Sequence, residues 1–139
     1  MQKATFCEPI RRRRCLVPIN SSFEWQVVNP NTKKKQPWEI ALKSKGPFAL
    51  ADIWYRWEDN QRNIVLETYA IITCVPNELL RPLHDRMPVL VQPDDYGRWL
   101  NPGDPKNPPM DSLKPFPDEL MTAWRVNRMW ETSKTIVLI

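Results

Sequence analysis

Scarce residue types exclude several classes of protein at the outset. The 139 residues include only three glycines, one histidine and three cysteines. Because Cys7, Cys15 and Cys74 are odd in number and lack a CxxC spacing, we expect neither a disulfide framework nor a zinc site, and no cofactor is indicated. No apolar run approaches the roughly 18 residues of a membrane-spanning helix, and no signal peptide is recognisable. We therefore expect a soluble, cytoplasmic protein without a membrane partner.

Proline, tryptophan and positive charge are the abundant features. Fifteen prolines against three glycines favour short strands and ordered loops over a helical bundle, because proline fixes φ and lacks a backbone donor. The seven tryptophans supply core area, and some are candidates for stacking platforms. A net charge of +4 favours nucleic acid or acidic lipid as a partner, although most basic runs are simply solvated faces.

The apolar runs predict a single compact domain of the α+β class, predominantly antiparallel β with a few short helices. The two longest runs, residues 48–57 and 64–73, are rich in β-branched and aromatic side chains and are joined by a short polar turn. We expect them to be adjacent central strands that are covered on both faces. Further strands are predicted at residues 15–18, 23–28, 38–42, 87–91, 120–129 and 135–139, a short helix or 3₁₀ segment at residues 76–83, and a short helix at residues 94–100.

Two positions are candidates for acid–base chemistry. Glu24 lies between two aromatic residues in an apolar run, and His84 is the only histidine. Each also has a simpler interpretation, Glu24 as an exposed strand residue and His84 as a histidine that caps a turn. In the same way, Asp85 and Arg86 are interpretable as a local salt bridge, and Thr73 as a good strand former.

Six short runs follow one another at sensible spacings along the chain. They are Arg13-Arg14-Cys15-Leu16-Val17-Pro18, Phe23-Glu24-Trp25, Gln36-Pro37-Trp38, Phe48-Ala49-Leu50-Ala51-Asp52-Ile53-Trp54, Ile71-Ile72-Thr73 and Leu83-His84-Asp85-Arg86-Met87-Pro88. In this order they resemble the SOS-response-associated peptidase (SRAP) family, the abasic-site-processing proteins. The resemblance extends over residues 11–126, most of the chain.

The resemblance implies a DNA-repair domain that binds single-stranded DNA and processes abasic sites. An abasic site opens to an aldehyde, and the family captures it with the amine and thiol of an amino-terminal cysteine, which close a thiazolidine ring. By resemblance Glu24 and His84 are catalytic and transfer protons, and Thr73 and Asp85 line the pocket. The implied DNA-binding residues are Arg11, Arg12, Arg13, Arg14 and Arg86. The family also implies association with the bacterial nucleoid.

The sequence departs from the family pattern at its amino-terminal end. Position 2 is Gln2, where the family has its cysteine nucleophile, and an Asn-Ala-Arg segment that precedes the Arg-Arg-Cys strand in the family is not found. Cys74 is the only thiol near the expected pocket, and it has no neighbouring free amine. We therefore expect residues 1–139 to form the carboxy-terminal two-thirds of a SRAP-like domain, inactive alone. Absent strands would leave an exposed sheet edge, which predicts self-association.

Three alternatives remain open on the sequence. The first is a peptidase, an activity that in the family amounts to removal of the initiator methionine from the cysteine. The second is a non-catalytic remnant that retains the scaffold and some affinity for DNA. The third, unrelated to the family, is a small basic nucleic-acid-binding or interaction module that stacks bases on its tryptophans.

Overall fold

The computed structural model describes residues 4–32 and 34–127. Helix α1 spans Ala4–Arg12 and α2 spans Tyr96–Leu100. The strands are β1 (Arg14–Ile19), β2 (Ser22–Asn29), β3 (Lys34–Leu42), β4 (Phe48–Asp59), β5 (Ile64–Ile71), β6 (Thr73–Cys74), β7 (Met87–Pro88), β8 (Leu90–Val91) and β9 (Met121–Arg125). Single 3₁₀ turns occupy Pro93–Asp95, Met110–Ser112 and Asp118–Leu120.

All strand pairs among these residues are antiparallel. The first sheet has the order β1-β4-β5, and β8 pairs with the inner end of β4. The second sheet has the order β2-β3-β9, and β6 pairs with β7 in a small ladder. The predicted fold class, α+β with predominantly antiparallel strands, is confirmed.

The main hydrophobic core lies where the two sheets and the segment after β6 meet. It combines buried residues of β3, β4, β7, β8 and β9 with residues of the turns after β6 and of the loop before β9: Ile40, Phe48, Leu50, Leu80, Leu83, Met87, Leu90, Phe116 and Met121. A second cluster, around Ala51, Val89 and Trp99, packs against the other face of the first sheet. The inner half of β4 is therefore covered on both faces, because successive strand residues point to opposite sides.

The outer half of the β4–β5 hairpin is different. The two strands are adjacent, as predicted, with Asp52 opposite Ile71 and Asp59 opposite Ile64. The expectation that both are covered on both faces is wrong, since every residue of β5 is exposed and so is most of β4 beyond Ile53. Arg13, between α1 and β1, contacts the rings of Trp54 and Tyr55, and β5 pairs with β4 alone among the described strands.

Three further elements differ from the sequence expectations. Helix α1 was not expected, and Arg11 and Arg12 lie in its last turn. Residues 76–83 form hydrogen-bonded turns instead of a helix; Pro82 cannot donate the backbone bond that a continuing helix requires. The closing strand ends at Arg125, and the predicted strand at residues 135–139 lies outside the described residues.

No helix in the described ranges has the length and apolarity that crossing a membrane requires.

Candidate functional site

The end of β5 is joined to the His84 turn by a cluster of hydrogen bonds from Arg86. Its guanidinium Nη2 donates to the carbonyl oxygen of Thr73 at 2.7 Å and to Thr73 Oγ1 at 2.9 Å. Nε also donates to Thr73 Oγ1, at 3.2 Å. In addition, Thr73 pairs with Pro88 in the β6–β7 ladder. Thr73 and Arg86 therefore fix the turn that carries His84, and Arg86 itself remains exposed.

The imidazole of His84 has a partner for each of its protonation states. Nδ1 lies 3.1 Å from the backbone nitrogen of Arg86, which donates to it when the ring is neutral. Nδ1 also lies 3.1 Å from Asp85 Oδ1, which accepts from it when the ring is protonated. The side chain is 47% exposed, so a substrate in solution has access to it. This arrangement suits a group that takes up and releases a proton.

Glu24 lies on β2, opposite Trp38 of β3. Burial raises the pKa of Glu24 above its usual range, and the charge of His84 lowers it in part. The opposing influence of His84 means that the carboxyl and the imidazole are electrostatic neighbours, although 60 positions separate them in the sequence. A carboxyl group that keeps its proton at higher pH is suited to general acid catalysis.

Gln26 connects the strand of Glu24 to the turn of His84. Its Nε2 donates to the carbonyl oxygen of Pro82 at 3.0 Å, and its Oε1 accepts from Trp38 Nε1 at 3.1 Å. Gln26 thus holds β2 against the segment that leads to His84. This role could not be predicted from the sequence, because a polar residue in a half-exposed strand is ordinary.

An open groove of about 540 Å³ runs beside His84. Val27 contributes from β2, and the rest of its lining comes from the segment after β6: Val75, Pro76, Arg81, Pro82, Leu83, His84 and Asp85. Of the residues assigned to the site by resemblance, His84 and Asp85 line this groove. Glu24 and Thr73 are not among the lining residues. Glu24 is influenced by the charge of His84, and Thr73 accepts a hydrogen bond from Arg86.

The thiols of Cys15 and Cys74 are not activated as nucleophiles. Burial raises the pKa of Cys74, while the charge of Arg86 and a backbone hydrogen bond lower it to a lesser extent. Burial also raises the pKa of Cys15, and the carboxyl of Asp52 acts in the same direction. Since the thiolate is the nucleophilic form, neither cysteine is a good nucleophile at neutral pH.

The structure separates the four arginines at positions 11 to 14. Arg11 and Arg12 are exposed at the end of α1. Arg13 lies 5.6 Å from the ring centre of Trp54 and 5.2 Å from that of Tyr55, distances typical of cation–π contacts. Arg11, Arg12 and Arg13 are therefore at or near the surface, where a phosphate could reach them.

Arg14 does not reach the surface and is not available to phosphate. Its guanidinium is buried and donates to four backbone carbonyl oxygens, including those of Trp99 at 2.6 Å, Ile10 at 2.8 Å and Arg11 at 2.9 Å. The fourth acceptor is the carbonyl of Asn101. Arg14 therefore joins α1 and α2 to β1. This structural role could not be predicted from its position in a run of four arginines.

Asp52 is a buried carboxyl that sequence reasoning did not single out. Its side chain has no exposed surface, and neither carboxylate oxygen has a hydrogen-bond partner in the described part of the chain. Burial raises the pKa of Asp52 to about 6. The available signal was an acidic residue inside the apolar run at residues 48–54.

Comparison with known proteins identifies the family. Residues 1–132 match the family described as SOS response associated peptidase (SRAP). The chain belongs to the SRAP family. Two SRAP relatives from Bacillus subtilis (strain 168) are named abasic site processing proteins: YoqW, 36% identical over 134 residues, and YobE, 35% identical over 139 residues. The expected family and its link to abasic-site processing are thus confirmed.

The matched relatives are longer than this SRAP chain. The match covers 96% of the chain but 58% of YoqW, and 97% of the chain but 61% of YobE. A crystal structure of a protein from Bacteroides thetaiotaomicron superimposes with a TM-score of 0.85 at 33% identity, covering 94% of this chain and 57% of that one. The chain therefore spans about three-fifths of the length of these relatives and has the same fold over that part.

Proposed function

We propose that this chain supplies the proton-transfer residues and part of the DNA-binding surface of an abasic-site-processing domain. The observation that carries the proposal is the electrostatic proximity of Glu24, on one sheet, and His84, on a turn held to the end of the other. The SRAP relatives YoqW and YobE, both named abasic site processing proteins, support the same substrate.

The chemistry assigned to the family needs proton transfers that this pair is suited to provide. An amine attacks the aldehyde of the opened abasic site, and the resulting carbinolamine loses water to give an imine. A thiolate then adds to the imine carbon and closes the thiazolidine ring. Glu24, which retains its proton at higher pH than an ordinary carboxyl, donates to the departing hydroxyl group. His84 accepts the proton that the amine gives up, with Asp85 stabilising the resulting imidazolium.

The amine and thiol of this reaction are not supplied by the residues of the site. Cys74 has a thiol with a raised pKa and no adjacent free amine. We therefore expect that the 139-residue chain alone forms no stable adduct with abasic DNA. We expect the part of YoqW outside the matched region to supply that nucleophile when it is joined to this chain.

A crosslinking assay tests the catalytic assignment. An abasic single-stranded oligonucleotide is incubated with the chain alone and with its fusion to that part of YoqW, and the products are separated on a denaturing gel. We expect a shifted band only with the fusion, and a rate loss of about 10²–10⁴-fold in Glu24→Gln or His84→Ala fusions. Glu39→Gln, at a partly exposed position on β3, is the matched control. A shifted band from the chain alone, or unchanged rates in both variants, would contradict the proposal.

The DNA partner is proposed to be single-stranded, with Arg11, Arg12 and Arg86 contacting phosphate. Fluorescence anisotropy with single-stranded and duplex oligonucleotides should show preference for the single strand. The affinity should fall with a log–log salt slope of roughly 0.7 for each phosphate contacted. The double variant Arg11→Gln/Arg12→Gln should reduce the slope, whereas Arg56→Gln/Arg62→Gln, which removes two exposed charges on the β4–β5 hairpin, should not. Salt-independent binding would contradict phosphate recognition.

Self-association and an association with the nucleoid stay predictions. The edge of β5 that faces away from β4 has no partner strand among the described residues, and strand addition between two copies would use that edge. Such pairing joins one strand to one strand, so we expect it to be weak and dependent on concentration. Light scattering of the purified chain over a range of concentrations measures it.

A further inference from the structure

The outer β4–β5 hairpin, residues 54–71, carries an unusual amount of exposed apolar surface. Eight of the sixteen large hydrophobic residues that are exposed in the described chain lie on these two strands: Trp54, Tyr55, Trp57, Ile64, Val65, Leu66, Tyr69 and Ile71. Soluble proteins seldom expose contiguous apolar patches above a few hundred Å², and larger ones mark interaction surfaces. This hairpin is therefore a candidate docking surface.

Both faces of the hairpin expose apolar side chains. In a strand with one face in water, apolar residues alternate with polar ones. In β5 the successive residues Ile64, Val65 and Leu66 point to opposite faces, and each is about half exposed. A partner that only extended the sheet at the β5 edge, such as a second copy, would leave both of these faces in water. The occupant must instead be a polypeptide large enough to fold over the hairpin.

The charges of the hairpin do not suit nucleic acid. Arg56 lies 2.8 Å from the carboxylate of Glu58 and 3.7 Å from that of Glu67, so its charge is balanced by two acidic residues. Arg62 lies 3.8 Å from Asp59. Binding of single-stranded DNA requires uncompensated positive charge beside the aromatic residues. Arg13, the cation beside Trp54 and Tyr55, lies 3.6 Å from the carboxylate of Glu8, so the charges beside these aromatic residues are also balanced, which fits an apolar protein surface.

The lengths of the relatives indicate which polypeptide covers the hairpin. About two-fifths of the Bacteroides structure lies outside the superimposed region, although that region reproduces the fold of this chain with a TM-score of 0.85. We infer that the outer β4–β5 hairpin is the docking surface for that remaining part of a SRAP domain. The apolar residues of the remaining part cover the exposed faces of β4 and β5, and its backbone pairs with the free edge of β5.

Docking there would bring the remaining part next to the candidate site. β5 ends at Ile71, and Thr73, which accepts hydrogen bonds from Arg86 beside His84, follows two residues later. A nucleophile carried by the docked part would then approach Glu24 and His84 from the end of the hairpin. This last step rests on the proposed function, whereas the docking itself does not.

The test mixes the full 139-residue chain with the part of YoqW that lies outside the matched region, produced as a separate polypeptide. We expect a one-to-one complex by light scattering. Hydrogen exchange of the β5 amides should slow by at least about tenfold, since exchange reports local opening. Val65→Asp, at a position 52% exposed, should weaken the complex by about tenfold or more because it buries a charge. Val28→Asp, at a position 48% exposed on the other sheet, is the matched control and should bind normally.

A covalent fusion of the two parts keeps the test decisive if separate polypeptides associate poorly. Unprotected β5 amides in a folded fusion, or a stable homodimer that the added part does not dissociate, would overturn the inference. So would equal loss of binding in the Val65 and Val28 variants. Crosslinking of abasic DNA is measured separately: a protected hairpin without crosslinking contradicts the proposed function alone, and crosslinking with an unprotected hairpin contradicts the docking surface alone.

Discussion

The two halves of β4 belong to one continuous strand but have opposite surroundings. Residues 48–53 are buried under core clusters on both faces, whereas residues 54–58 are exposed. The inner half is almost wholly apolar, the outer half combines aromatic and charged residues, and both halves pair with neighbouring strands. Because the aromatic residues of the outer half are as suited to a core as the inner residues, their exposure reflects what packs over them. Strand formation follows from side-chain type and pairing, whereas burial requires another element of the fold.

The comparison also separates two sources of stability. In the inner half, each apolar side chain removed from water contributes roughly 25 cal/mol per Å² and fills a packed space. In the outer half, the same side chains contribute mainly through cross-strand pairs, worth about 0.2–1 kcal/mol each. Substitutions that are chemically identical should therefore have very different effects in the two halves.

The largest contrast is expected between Leu50→Ala and Leu66→Ala. Leu50 is 4% exposed in the main core, and its truncation should lower the free energy of unfolding by about 2–5 kcal/mol. Leu66 is 51% exposed, and its truncation should cost less than about 1 kcal/mol in the chain alone. Urea denaturation of both variants measures the difference. Equal losses would mean that the hairpin is already covered in solution.

Asp52, the last acidic residue before the strand becomes exposed, should show the next largest effect. Its folded pKa of about 6 lies above the unfolded value of about 4, so the folded state binds more protons between these two pH values. Stability should therefore fall as pH rises from about 4 to 6 and stay lower above it. Asp52→Asn should raise the free energy of unfolding at pH 7.5 by about 1–3 kcal/mol, with no gain below pH 4. A gain independent of pH would show that the charge of Asp52 is not the cause.

Thr73, at the boundary between the exposed hairpin and the candidate site, should show a smaller effect. Thr73→Val keeps the shape of the side chain and removes the Oγ1 that accepts from Arg86. The two hydrogen bonds that Arg86 donates to Oγ1 are lost together, and because Arg86 is exposed and water replaces the lost acceptor, we expect a loss of about 0.5–1.5 kcal/mol in thermal denaturation. The bond from Arg86 to the Thr73 carbonyl remains, so the turn should persist. Thr68→Val, on β5, controls for the loss of a strand hydroxyl.

The smallest effect is expected for Arg56→Gln, in the exposed half. The ion pairs of Arg56 with Glu58 and Glu67 are about half exposed or more, and such pairs contribute about 0–1 kcal/mol. The midpoint of urea denaturation should change little, and less at high salt. A larger loss would indicate that the hairpin charges are shielded from solvent.

The sequence was sufficient for the paired central strands and for the family. Two long apolar runs rich in β-branched residues and joined by a short polar turn predicted the adjacent pair of β4 and β5, and six short runs in order predicted the SRAP family. The pattern could not predict exposure, because an apolar strand has the same sequence whether its cover belongs to the same 139 residues or not. Pro9 inside α1 likewise made that helix hard to anticipate, since proline disfavours helix interiors.

The residues of the candidate site could be predicted only where they belong to a motif of the family. Glu24, Thr73, His84 and Arg86 were named through the resemblance, and their joint role remains a prediction. Gln26 had no distinguishing signal, because its importance depends on a contact with Pro82, 56 positions away. Arg14 was predicted to contact DNA but is buried, and charge in a sequence predicts affinity for phosphate only if the side chain reaches the surface.

The two partners of His84 Nδ1 have a consequence for the turn that carries them. The backbone nitrogen of Arg86 and the carboxylate of Asp85 lie at the same distance from Nδ1, 3.1 Å, but the first is a hydrogen-bond donor and the second is an acceptor. A proton on Nδ1 would therefore exchange the bond from Arg86 for a bond to Asp85, which couples the charge of the ring to the backbone of the residue that holds Thr73.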